Sequence, residues 1–232
     1  KALGYLIKYQ LENFEYNFKK KVITYSGYTG FEELKTRSVK KRNRWLKARE
    51  ESYYGSIMHF MRSLYVDSVA EQKFDVREMI RIYNTDTLFD RIYLPGNMPT
   101  VRMGNDTFKV SPGEIPAFKK IPDYVDLINM KIFSFKDALF FDSSKNQKEF
   151  YFNNYLQVIY KNAIVKMDYL QVNGLPKYLK MNQTSDAYLL SEEPLIIEKD
   201  GSYFNPLNLM SSGYWGWCKM AETLPTDYKI GD

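Results

Sequence analysis

The segment from Lys35 to Tyr65, KTRSVKKRNRWLKAREESYYGSIMHFMRSLY, constrains the fold most, because it has helical period in a chain that otherwise alternates like strands. Ile57, Phe60, Met61, Leu64 and Tyr65 recur at three- and four-residue spacing, so one face has to be buried. Thr36 stands where an N-cap is needed, and Gly55 interrupts the pattern between a basic half and an apolar half. The expectation is one long helix over about 36–71, kinked, or two helices joined near Ser52 to Gly55.

On either side of it the period is two. Tyr5, Ile7, Tyr9 and Leu11 share a face, and the phase then changes to Phe14, Tyr16 and Phe18 without a breaker residue, which predicts a bulge near Glu12 and Asn13. Val22 to Tyr28 reads as the partner strand of an N-terminal hairpin turning around Phe18 to Lys20. After Phe74 the strand-like stretches are Val76–Tyr83, Ile128–Phe135, Phe150–Tyr160, Ala163–Val172, Asp186–Leu190 and Leu195–Lys199. Asn173-Gly174 and Asp200-Gly201 are the dipeptides that tight hairpin turns demand, since both central residues need positive φ.

These features predict an α+β fold: a large, mainly antiparallel, curved sheet with the 36–71 helix packed against it. A short C-terminal helix follows Trp215 and Trp217 and stops at Pro225. Twenty Tyr and 15 Phe in 232 residues favour strands and supply a core for one β-rich domain over residues 1–232. Five of the nine prolines fall between Leu94 and Asp126, so 94–126 reads as a Pro/Gly-rich loop.

The net charge of +5 suggests a polyanion partner until it is divided along the chain. Lys35 to Arg49 holds eight cations and no acid, so the remainder is slightly acidic and the basicity is local. Nucleic acid is disfavoured, because that patch would act alone between Glu32, Glu33, Glu50 and Glu51. The candidate binding residues there are Lys40, Arg44, Trp45 and Lys47, facing an anionic glycan, a lipid surface or an envelope protein. A solvated helix face is the plain alternative.

Residue counts narrow the chemistry. His59 is the only histidine and Cys218 the only cysteine, so neither the usual zinc sites nor an intrachain disulfide can be assembled. Asn84, Asp86 and Asp90 lack the glycine and terminal Glu of a calcium loop and read as a polar turn. Ser52, Ser56, His59 and Ser63 fall on one helix stripe, making Ser56 and His59 weak catalytic candidates without a third partner or an oxyanion hole. Ser38 to Lys41 matches S-x-x-K, but no K-T-G element accompanies it and Ser185-Asp186-Ala187 only approximates S-D-N. No phosphate-binding glycine loop occurs, so no cofactor is indicated. Glu192 and Glu193 are neighbours that would point to opposite faces of a strand, unable to flank one bond.

The order LGYLIKYQLENFEY, YSGYTGFEEL, KRNRWLKAREESYYGSIMHFMRSLY and GSYFNPLNLMSSGYWGWCKMAETLPTDY resembles the C-terminal domain of Bacteroidetes carboxypeptidase-like regulatory domain-containing proteins. The resemblance covers most of the chain and is weakest over Leu94 to Asp126. It implies export to the periplasm or outer membrane surface, and it transfers no peptidase activity and no site residues. No stretch approaches the roughly 18 apolar residues of a membrane span. The start at Lys1, close to a strand, predicts an upstream segment that is absent from this sequence. The expected function is a non-enzymatic cell-envelope domain that binds a partner, glycan or lipid, or positions neighbouring modules. The alternatives are a hydrolase of envelope polymers using folded-together carboxylates or Ser56 and His59, and a carrier of an apolar ligand between sheet and helix.

Overall fold

The computed structural model describes residues 2–18, 22–92, 100–113, 121–218 and 222–231. The alternation of the first 33 residues builds a two-stranded antiparallel ribbon, β1 (Tyr5–Asn17) and β2 (Val22–Glu33). Its register shifts between Leu11 and Asn13, at the expected bulge. Opposed residues share a face, so Tyr5, Ile7 and Leu11 before the shift lie on the same side as Phe14 and Tyr16 after it, together with Phe31, Tyr25 and Ile23. The extra residue therefore keeps one apolar face through the change of phase. Part of the turn expected around Phe18 to Lys20 lies outside the described residues.

The helical segment forms two helices, α1 (Val39–Tyr53) and α2 (Ile57–Tyr65). Ser38, not Thr36, caps α1: its hydroxyl accepts from the Lys41 N–H at 3.3 Å, while Thr36 Oγ1 accepts from the Ser38 N–H at 3.2 Å. The S-x-x-K pattern is thus a capping turn. The helix expected to reach residue 71 stops at Tyr65, because the next turn unwinds through Asp67 at φ 54° and the Ser68 N–H bonds back to the Ser63 carbonyl at 2.9 Å.

Strand pairing organises the rest. β3 (Phe74–Tyr83) precedes a short α3 (Phe89–Ile92), then β4 (Thr100–Met103), β5 (Asp106–Pro112) and β6 (Tyr124–Asn129). β7 (Leu139–Asp142), β8 (Gln147–Phe150) and β9 (Tyr155–Ile164) lead to α4 (Met167–Val172). β10 (Asn182–Leu189), β11 (Leu195–Ile197), β12 (Tyr203–Phe204), β13 (Leu209–Ser212) and α5 (Gly213–Cys218) complete the chain. A seven-stranded sheet runs β13-β10-β9-β3-β6-β5-β4 and a four-stranded sheet β12-β11-β8-β7, with antiparallel neighbours throughout. The fold is α+β with a large antiparallel sheet.

Phe60, Met61 and Leu64 of α2 are at most 2 % exposed and pack on Val76, Leu156 and Val158 of the large sheet and on Phe150, Leu195 and Ile197 of the small one. At about 1.5–3 kcal/mol per large side chain, this interdigitation is the main anchor of α2. A second cluster seats Phe89 and Ile92 on Ile82, Phe108, Val110, Val125 and Leu127.

Five expectations need correction. Residues 94–126 are not simply a loop: β4, β5 and the start of β6 lie there, and the glycine at 104 forms the β4–β5 turn with φ 59°. The strand expected from Ile128 is β6, which ends at Asn129. Ala163–Val172 is not a strand, since β9 ends at Ile164 and α4 follows, burying Leu170 against Val165 and Tyr214. A short apolar run does not distinguish the two periods, and here packing decided. Asn173-Gly174 accordingly ends α4 instead of turning a hairpin: Gly174 adopts φ 65°, and the Leu175 N–H bonds to the Leu170 carbonyl at 2.8 Å. Asp200-Gly201 lies in the β11–β12 hairpin connection, but not as a two-residue turn: the loop spans 198–202, and of the pair only Gly201 has positive φ, at 84°.

Candidate functional site

The chain between α1 and α2 is where the ribbon, the sheet and the C-terminal segment meet. Gly55 takes φ 82°, and a Cβ there would sit 2.3 Å from Gln183 Oε1, so glycine alone fits the close approach to β10. The indole Nε1 of Trp215 donates to the Gly55 carbonyl at 2.7 Å, and the Trp215 N–H donates to Ser185 Oγ at 3.0 Å. The three serines of this neighbourhood, Ser56, Ser63 and Ser185, all hold backbone. Ser56 caps α2 by accepting from the His59 N–H at 3.1 Å, and Ser63 Oγ donates to the His59 carbonyl at 2.7 Å.

His59 is only 2 % exposed, with ring centroids of Tyr53 and Phe74 each 4.9 Å away. Its Nδ1 accepts from the Gly55 N–H at 3.1 Å, so Nδ1 carries no proton and Nε2–H donates to Gln72 Oε1 at 3.0 Å. Burial lowers the imidazole pKa, helped by the Arg62 charge and opposed by the Gln72 hydrogen bond. Ser56 and His59 are adjacent, but both ring nitrogens are engaged elsewhere and the Ser56 hydroxyl faces backbone. The geometry gives this pair the role of a junction lock.

Beside the junction opens a cleft of about 560 Å³, within the range of about 300–1,000 Å³ typical of small-molecule sites. Its lining includes Ile23 and Tyr25 of β2, Tyr54 and Met58 at the junction, and Tyr203 and Leu207 from the segment around β12. Trp215 and Cys218 of α5, with Glu222, contribute to the lining too. Burial pushes the Tyr203 phenol up to about 12, with Tyr25 adding to it, and pushes the Cys218 thiol up to about 12, with Glu222 adding to it. The cleft wall is therefore neutral at these positions near pH 7. A smaller hollow of about 270 Å³, bordered by Leu64, Val69, Phe74 and Phe133, lies at the end of α2.

The ribbon supplies the cleft with its continuous apolar face. Near α1 that face is covered: Tyr5, Ile7 and Phe31 join Tyr53 in a local core. The buried Arg49 clasps the ribbon there, donating Nε to the Leu3 carbonyl at 2.8 Å and Nη2 to Glu33 Oε1 at 2.7 Å, with its guanidinium 4.1 Å over Tyr5. Farther out the same face is open, with Leu11 54 % and Phe14 61 % exposed.

The basic run divides differently from the sequence expectation. Lys40, Arg44 and Lys47 are exposed on α1, and Lys47 makes an exposed ion pair with Glu51 at 3.8 Å. Trp45 is 4 % exposed and lies against Gly4, so it belongs to the interior and is withdrawn from the binding set. Helical spacing turns it and Arg49 inward together.

Asp86 of the predicted polar turn accepts from the Leu88 N–H at 2.9 Å, and Asn84 Nδ2 donates to the Pro122 carbonyl at 3.3 Å. Among the described residues no group of three His, Cys, Asp or Glu is placed to hold a metal ion, and no helix is long and apolar enough to cross a membrane. Sequence reading missed the cleft because its walls come from four separated segments. The one available signal was the apolar side of the ribbon persisting through its bulge. Comparison with models of protein families, with curated proteins and with solved structures finds no match to this chain.

Proposed function

We propose that this chain is a non-enzymatic binding domain of a bacterial cell envelope, working in the periplasm or at the outer membrane surface. Its cleft takes the acyl part of a lipid. The observation that carries the reading is the ribbon face: it stays apolar past the point where α1 covers it, and Ile23 and Tyr25 on its far half line a cleft of about 560 Å³. Contiguous exposed apolar surface beside a cleft of ligand size is the signature of a binding groove. Tyr54, Ser202 and Tyr203 add hydroxyls, and Glu51 and Glu222 carboxylates, to a lining that is otherwise largely apolar, which suits an amphiphile. The envelope assignment rests on the resemblance of the quoted segments to the Bacteroidetes family.

The hydrolase alternative is less well supported, because both nitrogens of His59 are occupied and Ser56 is a helix cap. The space between α2 and the large sheet is filled by side chains, so a carrier would use the lateral cleft. The test is a titration with the fluorescent fatty acid cis-parinaric acid. Saturable binding to the wild type, weakened at least about tenfold by Leu207→Glu at a 41 % exposed position, supports the reading. Absence of saturable binding, or equal binding by the variant, overturns it.

A further inference from the structure

The connection between β9 and β10 is an excursion over residues 165–181. It closes at its base, where Asn182 pairs with Ile164 and the Val165 N–H donates to the Met181 carbonyl at 3.0 Å. Packing settles its inner side: Val165, Tyr169 and Leu170 lie against Tyr214 of α5. At about 3.6 residues per turn, an α4 that turns Tyr169 and Leu170 inward turns Met167, Asp168, Gln171 and Val172 outward. Beyond Gly174 the chain makes a turn in which the Leu179 N–H donates to the Pro176 carbonyl at 2.9 Å, with Lys177 and Tyr178 at its tip.

The outward side carries apolar groups that nothing in the fold covers. Met167 is 62 % exposed, Val172 73 % and Tyr178 85 %, and Ile164 and Leu179 of the same segment are exposed too. Among the described residues only Phe18 shows as much surface as Tyr178 and Val172 for a large apolar side chain. No residue of the excursion lines either hollow of the molecule, so this is a protruding surface and not a pocket. Its charges are Lys166, Lys177 and Lys180 against one acid, Asp168. Lys166 is bound to Glu222, and Lys161 at the end of β9 to Asp75 at 3.4 Å. Lys177 and Lys180 are exposed, make no ion pair among the described residues, and flank Tyr178 and Leu179.

We propose that this excursion seats the protein on an anionic lipid bilayer, with Met167, Val172 and Tyr178 entering the headgroup boundary and Lys177 and Lys180 meeting the phosphates. A protrusion presents no preformed pocket to a small ligand, whereas a fluid bilayer closes around it and takes its apolar side chains out of water. Tyrosine suits that boundary because its ring is apolar and its hydroxyl stays wet, and lysine because its stem lies along apolar surface while the ammonium reaches out. A protein partner fits less well, since lysine is depleted from protein interfaces. Two free cations are too few to hold a nucleic acid, but they add to apolar insertion at a negatively charged leaflet. The excursion is separate from the cleft and from the basic side of α1, so the inference stands apart from the binding of a lipid in the cleft.

The test is flotation of the full chain with vesicles of phosphatidylcholine containing about one-third phosphatidylglycerol. The wild type floats with these vesicles and less with phosphatidylcholine alone. The double variant Val172→Ser, Tyr178→Ser weakens that binding at least about tenfold, because insertion scales with buried apolar area. Lys177→Glu with Lys180→Glu also weakens it, most at low salt. Leu207→Glu in the cleft and reversal of Lys40, Arg44 and Lys47 on α1 leave it intact. Near-UV circular dichroism confirms that each variant is folded, which the exposure of all four substituted positions favours. Absence of flotation, equal flotation on phosphatidylcholine alone, or undiminished flotation of the folded serine variant overturns the proposal. Loss of flotation on reversal of the α1 cations alone assigns the membrane contact to α1 and overturns it too.

Discussion

His59 makes stability depend on pH in a window where few other groups titrate. Its imidazole is buried, accepts a hydrogen bond from Gly55 at Nδ1, and has a pKa lowered from 6.5, first by burial and then by the Arg62 charge. Protonation would set a new N–H against the Gly55 N–H. In the unfolded chain the histidine regains its ordinary pKa, so below about pH 6.5 the unfolded state binds the proton and the folded state does not. Stability is unaffected well above 6.5 and falls as pH drops through it, by at most about 1.4 kcal/mol between roughly pH 7.5 and 5.5. Asp186 works in the opposite sense: burial and the nearby Asp126 raise its pKa, so the folded state holds that proton more tightly and stability falls as pH rises through its range. The difference between wild type and His59→Gln cancels that contribution and isolates the imidazole. Urea unfolding of both proteins at several pH values measures it, and the wild type loses up to about 1.4 kcal/mol more than the variant over that interval. Since the chain has one histidine, its ring C–H resonance also titrates alone in an NMR spectrum. An equal acid slope in both proteins, or a resonance titrating at 6.5 or above, refutes the reasoning.

Trp45 and its exposed neighbours separate by stability. Trp45→Ala costs about 3–5 kcal/mol in urea unfolding, whereas the triple reversal of Lys40, Arg44 and Lys47 to Glu leaves the midpoint nearly unchanged, because those side chains are solvated. A small effect of Trp45→Ala would return that residue to the surface. Cys218, with its thiol pushed up to about 12, reacts slowly with Ellman's reagent at about pH 8 in the folded protein and fast once unfolded in urea. Equal rates in the two states would contradict its burial beside Glu222.

The ribbon and its bulge were legible because alternation is a local signal and a phase change has a single geometric remedy, the insertion seen between Leu11 and Asn13. The junction at Gly55 was legible for a similar reason, since glycine interrupts a helical period visibly. Other elements depended on neighbours. Ala163–Val172 alternates on paper, yet packing of Leu170 on Val165 and Tyr214 makes α4, and the Asn-Gly dipeptide then serves as a helix end. Residues 94–126 were obscured by their prolines, because β5 draws its order from pairing with β6 and not from its own propensity.

The candidate sites show the same division. Counting one histidine and one cysteine limited metal and disulfide chemistry before any fold was known. Whether Ser56 and His59 formed a relay was undecidable from helix spacing, because the roles of the ring nitrogens were assigned by Gly55 and by Gln72, 13 positions along. Met167 and Val172 lie in a stretch whose alternation reads as a strand, and only the packing of Tyr169 and Leu170 against Tyr214 turns them outward together. By itself the sequence determined periodicity, local breaks and the inventory of reactive groups, all properties of neighbouring residues. Only the tertiary structure decided which groups meet, because pairing distant strands and closing the core around α2 select among partners that local chemistry leaves equivalent.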